Sequence, residues 1–337
     1  MSNIMDIKRN DYSSFISLFI EITNNCNLNC HECYTKYKNY QNKKAISLSD
    51  IINAIDTVVP SKVIYTGGEP LLYPELISHS INFYNAHYKQ HWNTVVCSNL
   101  IFDKLSEEQQ IALINIDYLQ TSYSVDRFKT KSMFYKWKNN FKHAKELLKA
   151  SQSSYRNKFV DINVTINPLQ LKEKPETLIS KLLELEPDGI GLEFLSFHDP
   201  NKIDKEFYNR SDAYMKRVFE LLDPKINLSF QAMKNNLNNG YTMHCNNCKN
   251  RMNYLVNPDG EIILGCLCNP LLTNKEKIDT TKKLIEQCID CKYFKYCRGN
   301  CERFGLNCGF PKQTFEYVFN KINGDDYKCQ TTHSQGK

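Results

Sequence analysis

Three cysteines carry the most specific chemistry in the chain. Cys26, Cys30 and Cys33 follow the spacing C-x3-C-x2-C. Thiolates this close can grip three irons of a cubane cluster, whereas a fully ligated cluster takes four Cys. An iron left without a protein ligand is an open coordination position, which a catalytic metal site needs. The same spacing also suits zinc completed by a remote fourth ligand, and His31 lies within the motif. A second run, Thr66, Gly67, Gly68, Glu69 and Pro70, closes the next predicted strand. Paired glycines let backbone approach a ligand closely, and a carboxylate beside them can receive an ammonium. A third group lies near the other end. Cys288, Cys291, Cys297 and Cys301 are spaced C-x2-C-x5-C-x3-C, with Cys245, Cys248, Cys266 and Cys268 upstream and Cys308 and Cys329 downstream. On spacing alone such pairs also suit zinc ribbons. Cys97 stands apart and reads as a core thiol. The sequence does not single out a general base; the candidates are Glu193, His198 and Asp199, on or after the sixth predicted strand, and Tyr65 before the glycine pair, and each also reads as a solvated or core residue.

These groups need a scaffold, and the first two-thirds of the chain supplies a regular one. Apolar or β-branched runs occur at 15–23, 62–66, 93–98, 118–124, 159–167 and 189–197, with helical patterns at 49–58, 75–88, 105–115, 134–150, 175–186 and 204–222. In the fifth helix Leu178, Ile179, Leu182, Leu183 and Leu185 form the stripe, Pro175 starts it, and Pro187 to Gly189 ends it. Six β–α units in series predict a parallel sheet with right-handed crossovers. Six units fall short of the eight that close a barrel, so the expected fold is α/β, an open partial (β/α)6 TIM-like barrel with its functional groups at the strand C-termini. That face collects Cys26 to Cys33, the glycine pair, Ser98 and Asn99, Ser122 and Ser124, Asn167, and Leu195. Composition changes near residue 223. The expected organisation is a barrel over 1–222, a bridge over 223–244 and a cysteine-rich domain over 245–337. Within the last, 254–265 reads as a β-hairpin, because Asn257, Pro258, Asp259 and Gly260 separate two apolar runs.

Composition excludes several classes of function. The chain has 337 residues, 41% hydrophobic and 24% charged, as in soluble globular proteins. No apolar run approaches the ~18 residues of a membrane span, and the first residues hold no signal core, so a cytoplasmic protein is expected. The net charge of +6 is mild and the Lys residues are scattered, which opposes a dedicated nucleic-acid binder. Fourteen Cys in a long chain without a secretion signal argue for metal ligation over disulfides. Eleven of them fall in four short-spaced groups.

The cysteine triplet followed one strand later by the GGEP run resembles the radical S-adenosylmethionine (SAM) superfamily, over roughly residues 15–222. The resemblance implies that Cys26, Cys30 and Cys33 bind a [4Fe–4S] cluster whose fourth iron is chelated by SAM. It implies that Gly67, Gly68, Glu69 and Pro70 border the methionyl amine and that Ser98 and Asn99 contact the ribose. Ser122 and Ser124 would lie near the SAM carboxylate, and Asn167 and Leu195 near the adenine. An electron from the cluster would cleave the sulfonium and yield a 5′-deoxyadenosyl radical that takes a hydrogen atom from substrate. The family usually carries an aromatic just before the third Cys; here Glu32 holds that place and Tyr34 follows. The C-terminal cysteines resemble the SPASM extension of the same enzymes, which holds two auxiliary [4Fe–4S] clusters. Transferred by position, one takes Cys245, Cys248, Cys266 and Cys301 and the other Cys288, Cys291, Cys297 and Cys329. Cys268 or Cys308 could replace Cys266 or Cys329.

Three [4Fe–4S] clusters and SAM would make the chain an oxidative maturase of a peptide or protein side chain, forming a thioether or carbon–carbon cross-link or a related oxidation. A flavodoxin or ferredoxin would supply electrons. The barrel begins near residue 15, so no built-in leader-binding domain fits before it, and either a separate leader-recognition protein or the barrel itself is expected to read the peptide. Leu267 stands where some protein-oxidising relatives carry Asp, which weakens a formylglycine-generating assignment. Two other readings compete: a dehydrogenase of a small molecule such as an aminocyclitol or sugar, with one auxiliary cluster, and a non-catalytic zinc or iron–sulfur scaffold.

Overall fold

The computed structural model describes residues 16–30, 33, 42–88, 93–153, 157–194, 205–231, 253–264 and 312–323. Six strand–helix units run in the expected order: β1 (Ser17–Thr23), α1 (Leu48–Val58), β2 (Lys62–Gly67), α2 (Pro74–His87), β3 (Asn93–Ser98), α3 (Glu107–Asn115), β4 (Tyr118–Tyr123), α4 (Lys131–Ala150), β5 (Phe159–Ile166), α5 (Pro175–Leu183), β6 (Gly189–Phe194) and α6 (Lys205–Leu221). They are followed by a hairpin, β7 (Asn253–Val256) and β8 (Ile262–Leu264), and a helix, α7 (Lys312–Asn323). Strands β1 to β6 are parallel and adjacent in chain order, and β6 does not pair with β1, so the sheet is an open α/β barrel segment.

The two faces of the strands differ as their alternation dictates. One face carries Leu18, Ile20, Ile22, Val63, Tyr65, Val96, Leu119, Val160, Ile162 and Val164, all essentially buried. Against it pack the helices. In α4, Trp137, Phe141, Ala144 and Leu148 recur at helical spacing and are fully buried, and Trp137 Nε1–H donates to Thr121 Oγ1 at 3.0 Å. In α5 the buried stripe is Leu178, Ile179 and Leu182, with Leu185 just beyond, while Leu183 is 42% exposed. The expected stripe was one residue too broad: at 100° per residue Leu183 turns off a face that Leu182 already occupies. Pro175 starts α5 as expected.

The hairpin forms where Asp-Gly predicts it. Asn257 Oδ1 accepts from the backbone N–H groups of Asp259 and Glu261, each at 3.0 Å, and Gly260 adopts a positive φ of 80°. β7 pairs in parallel with β1, extending the barrel sheet to eight strands in the order β6-β5-β4-β3-β2-β1-β7-β8. The final helix is tied to the barrel as well. Asp212 of α6, 3% exposed, accepts from the backbone N–H of Gln313 (2.8 Å) and Thr314 (3.0 Å) at the start of α7.

Candidate active site

The loop after β1 and the turn after β2 lock together through backbone. Gly68 N–H donates to Thr23 O at 2.6 Å and Glu69 N–H to Asn25 O at 2.8 Å. The contact has no room for side chains. A Cβ on Gly67 would sit 2.3 Å from Thr23 O, and Gly67 has a φ of +126° besides. A Cβ on Gly68 would sit 2.0 Å from Asn25 O. The glycine pair therefore sets how closely the GGEP turn approaches the segment leading into Cys26.

Glu69 fastens the next strand to the same place. It is 1% exposed, and its carboxylate accepts from Ser98 Oγ–H (2.8 Å), Asn99 N–H (2.7 Å) and Leu71 N–H (3.1 Å). Burial pushes its pKa up to about 7 against the pull of these donors. The carboxylate expected beside an ammonium is thus engaged by the ends of β2 and β3. Ser98 and Asn99, expected at a ribose, likewise turn their side chains inward. Asn99 Nδ2–H donates to Asn27 Oδ1 at 2.8 Å and to Cys26 Sγ at 3.7 Å.

Cys26, Cys30 and Cys33 are half-buried and line one cavity of about 840 Å3. Leu28 N–H also donates to Cys26 Sγ, at 3.4 Å, and burial pushes the Cys26 thiol up to about 11. Arg127 and Lys129 line the same cavity. Among the described residues, no three His, Cys, Asp or Glu side chains converge on a point that one ion could occupy. Three thiols around one cavity, two N–H donors on one sulfur, and an adjacent cradle closed to any Cβ fit a thiolate-bound group. Sequence reasoning missed Arg127; its only signal is its place three residues after Ser124.

A second network closes the ends of β4 and β5. Asn167, 2% exposed, donates from Nδ2 to Ser124 Oγ (2.8 Å) and Asp126 Oδ1 (3.1 Å) and accepts from Gln170 N–H (2.7 Å). Gln170 is fully buried. Its Oε1 accepts from Val125 N–H at 3.2 Å, and its Nε2–H donates to Glu173 Oε2 at 2.9 Å and Tyr214 OH at 3.3 Å. Ser124 and Asn167, expected separately at the ends of β4 and β5, meet here, and Gln170, unnoticed in the sequence, joins them. Ser122, one strand position before Tyr123, is half-buried on the face opposite the helices.

That inner face is polar. Glu21, Cys97, Gln120, Asp161, Asn163 and Glu193 alternate with the apolar outer residues. Asn163 Nδ2–H donates to Glu193 Oε1 at 2.8 Å, and Cys97 Sγ donates to Gln120 Oε1 at 3.4 Å. Gly191 opposes Asn163 across the β5–β6 pair, and a Cβ there would meet Asn163 Oδ1 at 2.2 Å. Cys97 is half-buried on this face and not sealed in the core. Glu193 is exposed at the site end of β6. Tyr65 is not a site residue: it points to the helix layer, fully buried, with its hydroxyl 2.8 Å from Ser80 Oγ. Strand alternation puts it on the outer face, which adjacency to the glycines alone does not reveal. Leu195, His198 and Asp199 lie outside the described residues, as do Cys245, Cys248, Cys266, Cys288, Cys291, Cys297, Cys301 and Cys329.

An uncharacterized protein of Methanocaldococcus jannaschii is 32% identical over 114 residues, 31% of this chain and 39% of that protein. The GTP 3′,8-cyclase of Clostridium acetobutylicum is 46% identical over 63 residues, 18% of this chain and 20% of the cyclase. This chain thus spans well under half the length of either relative. Among solved structures, anSMEcpe with bound AdoMet and a Kp18Cys peptide superposes with a TM-score of 0.66 at 17% identity, over 93% of this chain and 99% of that one. SuiB of Streptococcus suis, bound to its precursor peptide SuiA, gives 0.55 at 15% identity, over 86% and 72%. These likenesses establish a shared fold. Among the described residues no helix is long and apolar enough to cross a membrane. The Radical SAM superfamily profile matches residues 20–227, well over half of the chain and including both the cysteine loop and the glycine cradle, and the chain belongs to that superfamily.

Proposed function

We propose that this radical SAM enzyme oxidatively modifies a peptide or protein side chain, using one SAM-binding cluster and two auxiliary clusters. The observation that carries the reading is the single cavity onto which Cys26, Cys30 and Cys33 open, beside the Gly67–Gly68 cradle. A [4Fe–4S] cluster held there would supply one electron to the sulfonium of SAM bound beside it, the source of a hydrogen-abstracting 5′-deoxyadenosyl radical. The protein's own contribution is placement. Cys26, Cys30 and Cys33 hold three irons. The glycine pair leaves backbone bare beside them, and Glu69 holds β2 and β3 in register there. Arg127 offers the SAM carboxylate a guanidinium, the geometry best suited to a carboxylate. The polar inner face, with Gln120, Asn163 and Glu193, receives the substrate and orients it by hydrogen bonds. Cys245, Cys248, Cys266 and Cys301, and Cys288, Cys291, Cys297 and Cys329, would hold the auxiliary clusters, whose chemistry would be uptake of the second electron of a net oxidation. The peptide reading draws support from two structures of the same fold whose contents include peptides.

The test is iron and acid-labile sulfide per chain after anaerobic reconstitution, with 5′-deoxyadenosine release from SAM under reduction. Iron near ~12, three cubanes of four, together with release of 5′-deoxyadenosine, is the expected result. Iron near ~8 removes one auxiliary cluster and favours oxidation of a small molecule. Zinc with little iron, and no 5′-deoxyadenosine, overturns the reading.

A further inference from the structure

We infer that Asn99 is a positioning residue that raises the reduction potential of the cluster at Cys26, Cys30 and Cys33 by donating a side-chain N–H to the Cys26 sulfur. The inference rests on the cluster reading above. Asn99 is 6% exposed and held at three points. Its backbone N–H donates to Glu69 Oε2 at 2.7 Å. Its Oδ1 accepts from Ile101 N–H at 2.7 Å, which fixes the amide orientation and turns Nδ2 towards the cysteine loop. Nδ2–H then reaches Asn27 Oδ1 at 2.8 Å and Cys26 Sγ at 3.7 Å. Asn27 Nδ2–H returns to Ile101 O at 2.7 Å, so the loop and the end of β3 close a ring of hydrogen bonds. With Leu28 N–H at 3.4 Å, the Cys26 sulfur receives two donors.

Reduction adds one electron and no proton to the cluster, and the added negative charge spreads onto its sulfurs. A donor aimed at a ligand sulfur stabilises the reduced form and raises the potential. Asn99 thus couples the SAM-side turn, through Glu69, to the ease with which the cluster accepts its electron. It is an electrostatic setting made by one amide, distinct from metal ligation.

The test is an anaerobic redox titration of the reconstituted full chain, followed by EPR. The signal absent from a Cys26→Ala, Cys30→Ala, Cys33→Ala chain belongs to this site. In Asn99→Ala, with iron content unchanged, the midpoint should move to more negative potential. The oxidised-to-reduced ratio at the wild-type midpoint should rise about tenfold, which is ~59 mV for one electron. Asn99→Asp keeps the acceptor for Ile101 N–H, loses the donors and adds a negative charge, so it guards against a folding failure of the Ala variant. It should shift the midpoint in the same direction and further. Asn27→Ala leaves the Asn99 donor in place and should keep the wild-type midpoint. A wild-type midpoint in Asn99→Ala and Asn99→Asp at full iron content overturns the inference and leaves the cluster reading standing. An Asn27→Ala shift equal to that of Asn99→Ala also overturns it, because loop anchoring alone would then set the potential. A wild-type chain that takes up no iron overturns the cluster reading and this inference together.

Discussion

The outer and inner faces of the one sheet obey opposite rules. The outer face, from Leu18 to Val164, is apolar and closed under the helices. The inner face presents Glu21, Gln120, Asp161, Asn163 and Glu193 along the same strands. A parallel sheet covered on both sides normally reads as continuous apolar runs. Here several inner residues depart from that rule, beside the apolar Phe19, Ile64 and Val95, and the departures collect on the face opposite the helices. The apolar face supplies stability, and the polar face gives some of it up to carry chemistry.

Substitutions can break that division. The largest effect is expected from the apolar side: Ile20→Ala should cost ~4 kcal/mol, read as a lowered denaturant midpoint, because Ile20 is fully buried and its loss leaves a cavity. The next belongs to the rim where the faces meet. Gly68→Ala puts a Cβ 2.0 Å from Asn25 O, so the backbone must shift, at ~3 kcal/mol, and iron uptake at the neighbouring cysteines should fall with it. On the polar side the sign should reverse. Burial and the nearby Asp188 push Asp161 up to about 6, with Lys62 opposing. Its folded value is therefore raised above the ~3.9 of an unfolded chain. The stability it contributes is full below pH ~3.9 and is lost as pH rises through about 6. Asp161→Asn should remove that slope and stabilise the protein by up to ~3 kcal/mol at pH 7, seen in denaturation curves from pH 4 to 7. A destabilised Asn variant at neutral pH would show that Asp161 is held by a partner its charge requires. The smallest effect should be that of Glu193→Gln. Its carboxylate is exposed, so the denaturant midpoint should stay within ~0.5 kcal/mol of wild type. Any large change in its substrate turnover then belongs to the site and not to the fold.

Much of this division is legible in the sequence. The six strand–helix units appear because each carries its own period, and Cys26 to Cys33 and Gly67–Gly68 stand out because their spacing is local. What is set by contact across the chain is not legible. Nothing near Glu69 says that Ser98 and Asn99 will occupy its oxygens, and nothing near Asn167 says that Gln170 will bind it to Val125. Tyr65 and Leu183 sit beside the right residues but one step off their face, a distinction of angle that adjacency does not encode. The hairpin turn is announced by its Asn257 to Gly260 run, yet its pairing with β1 joins residues separated by most of the chain.

That pairing has a consequence for solubility. β1, with the sequence SLFIEIT, has β2 on one side and β7 on the other, so neither of its backbone edges is open. An uncovered strand edge of this composition is a template for association with other chains. A chain ended after α6 would keep all six strand–helix units and the cysteine loop, and it would uncover the edge of its first strand. The hairpin at 253–264 therefore acts as a guard against self-association, and a truncated barrel should form oligomers at concentrations where the full chain stays dispersed.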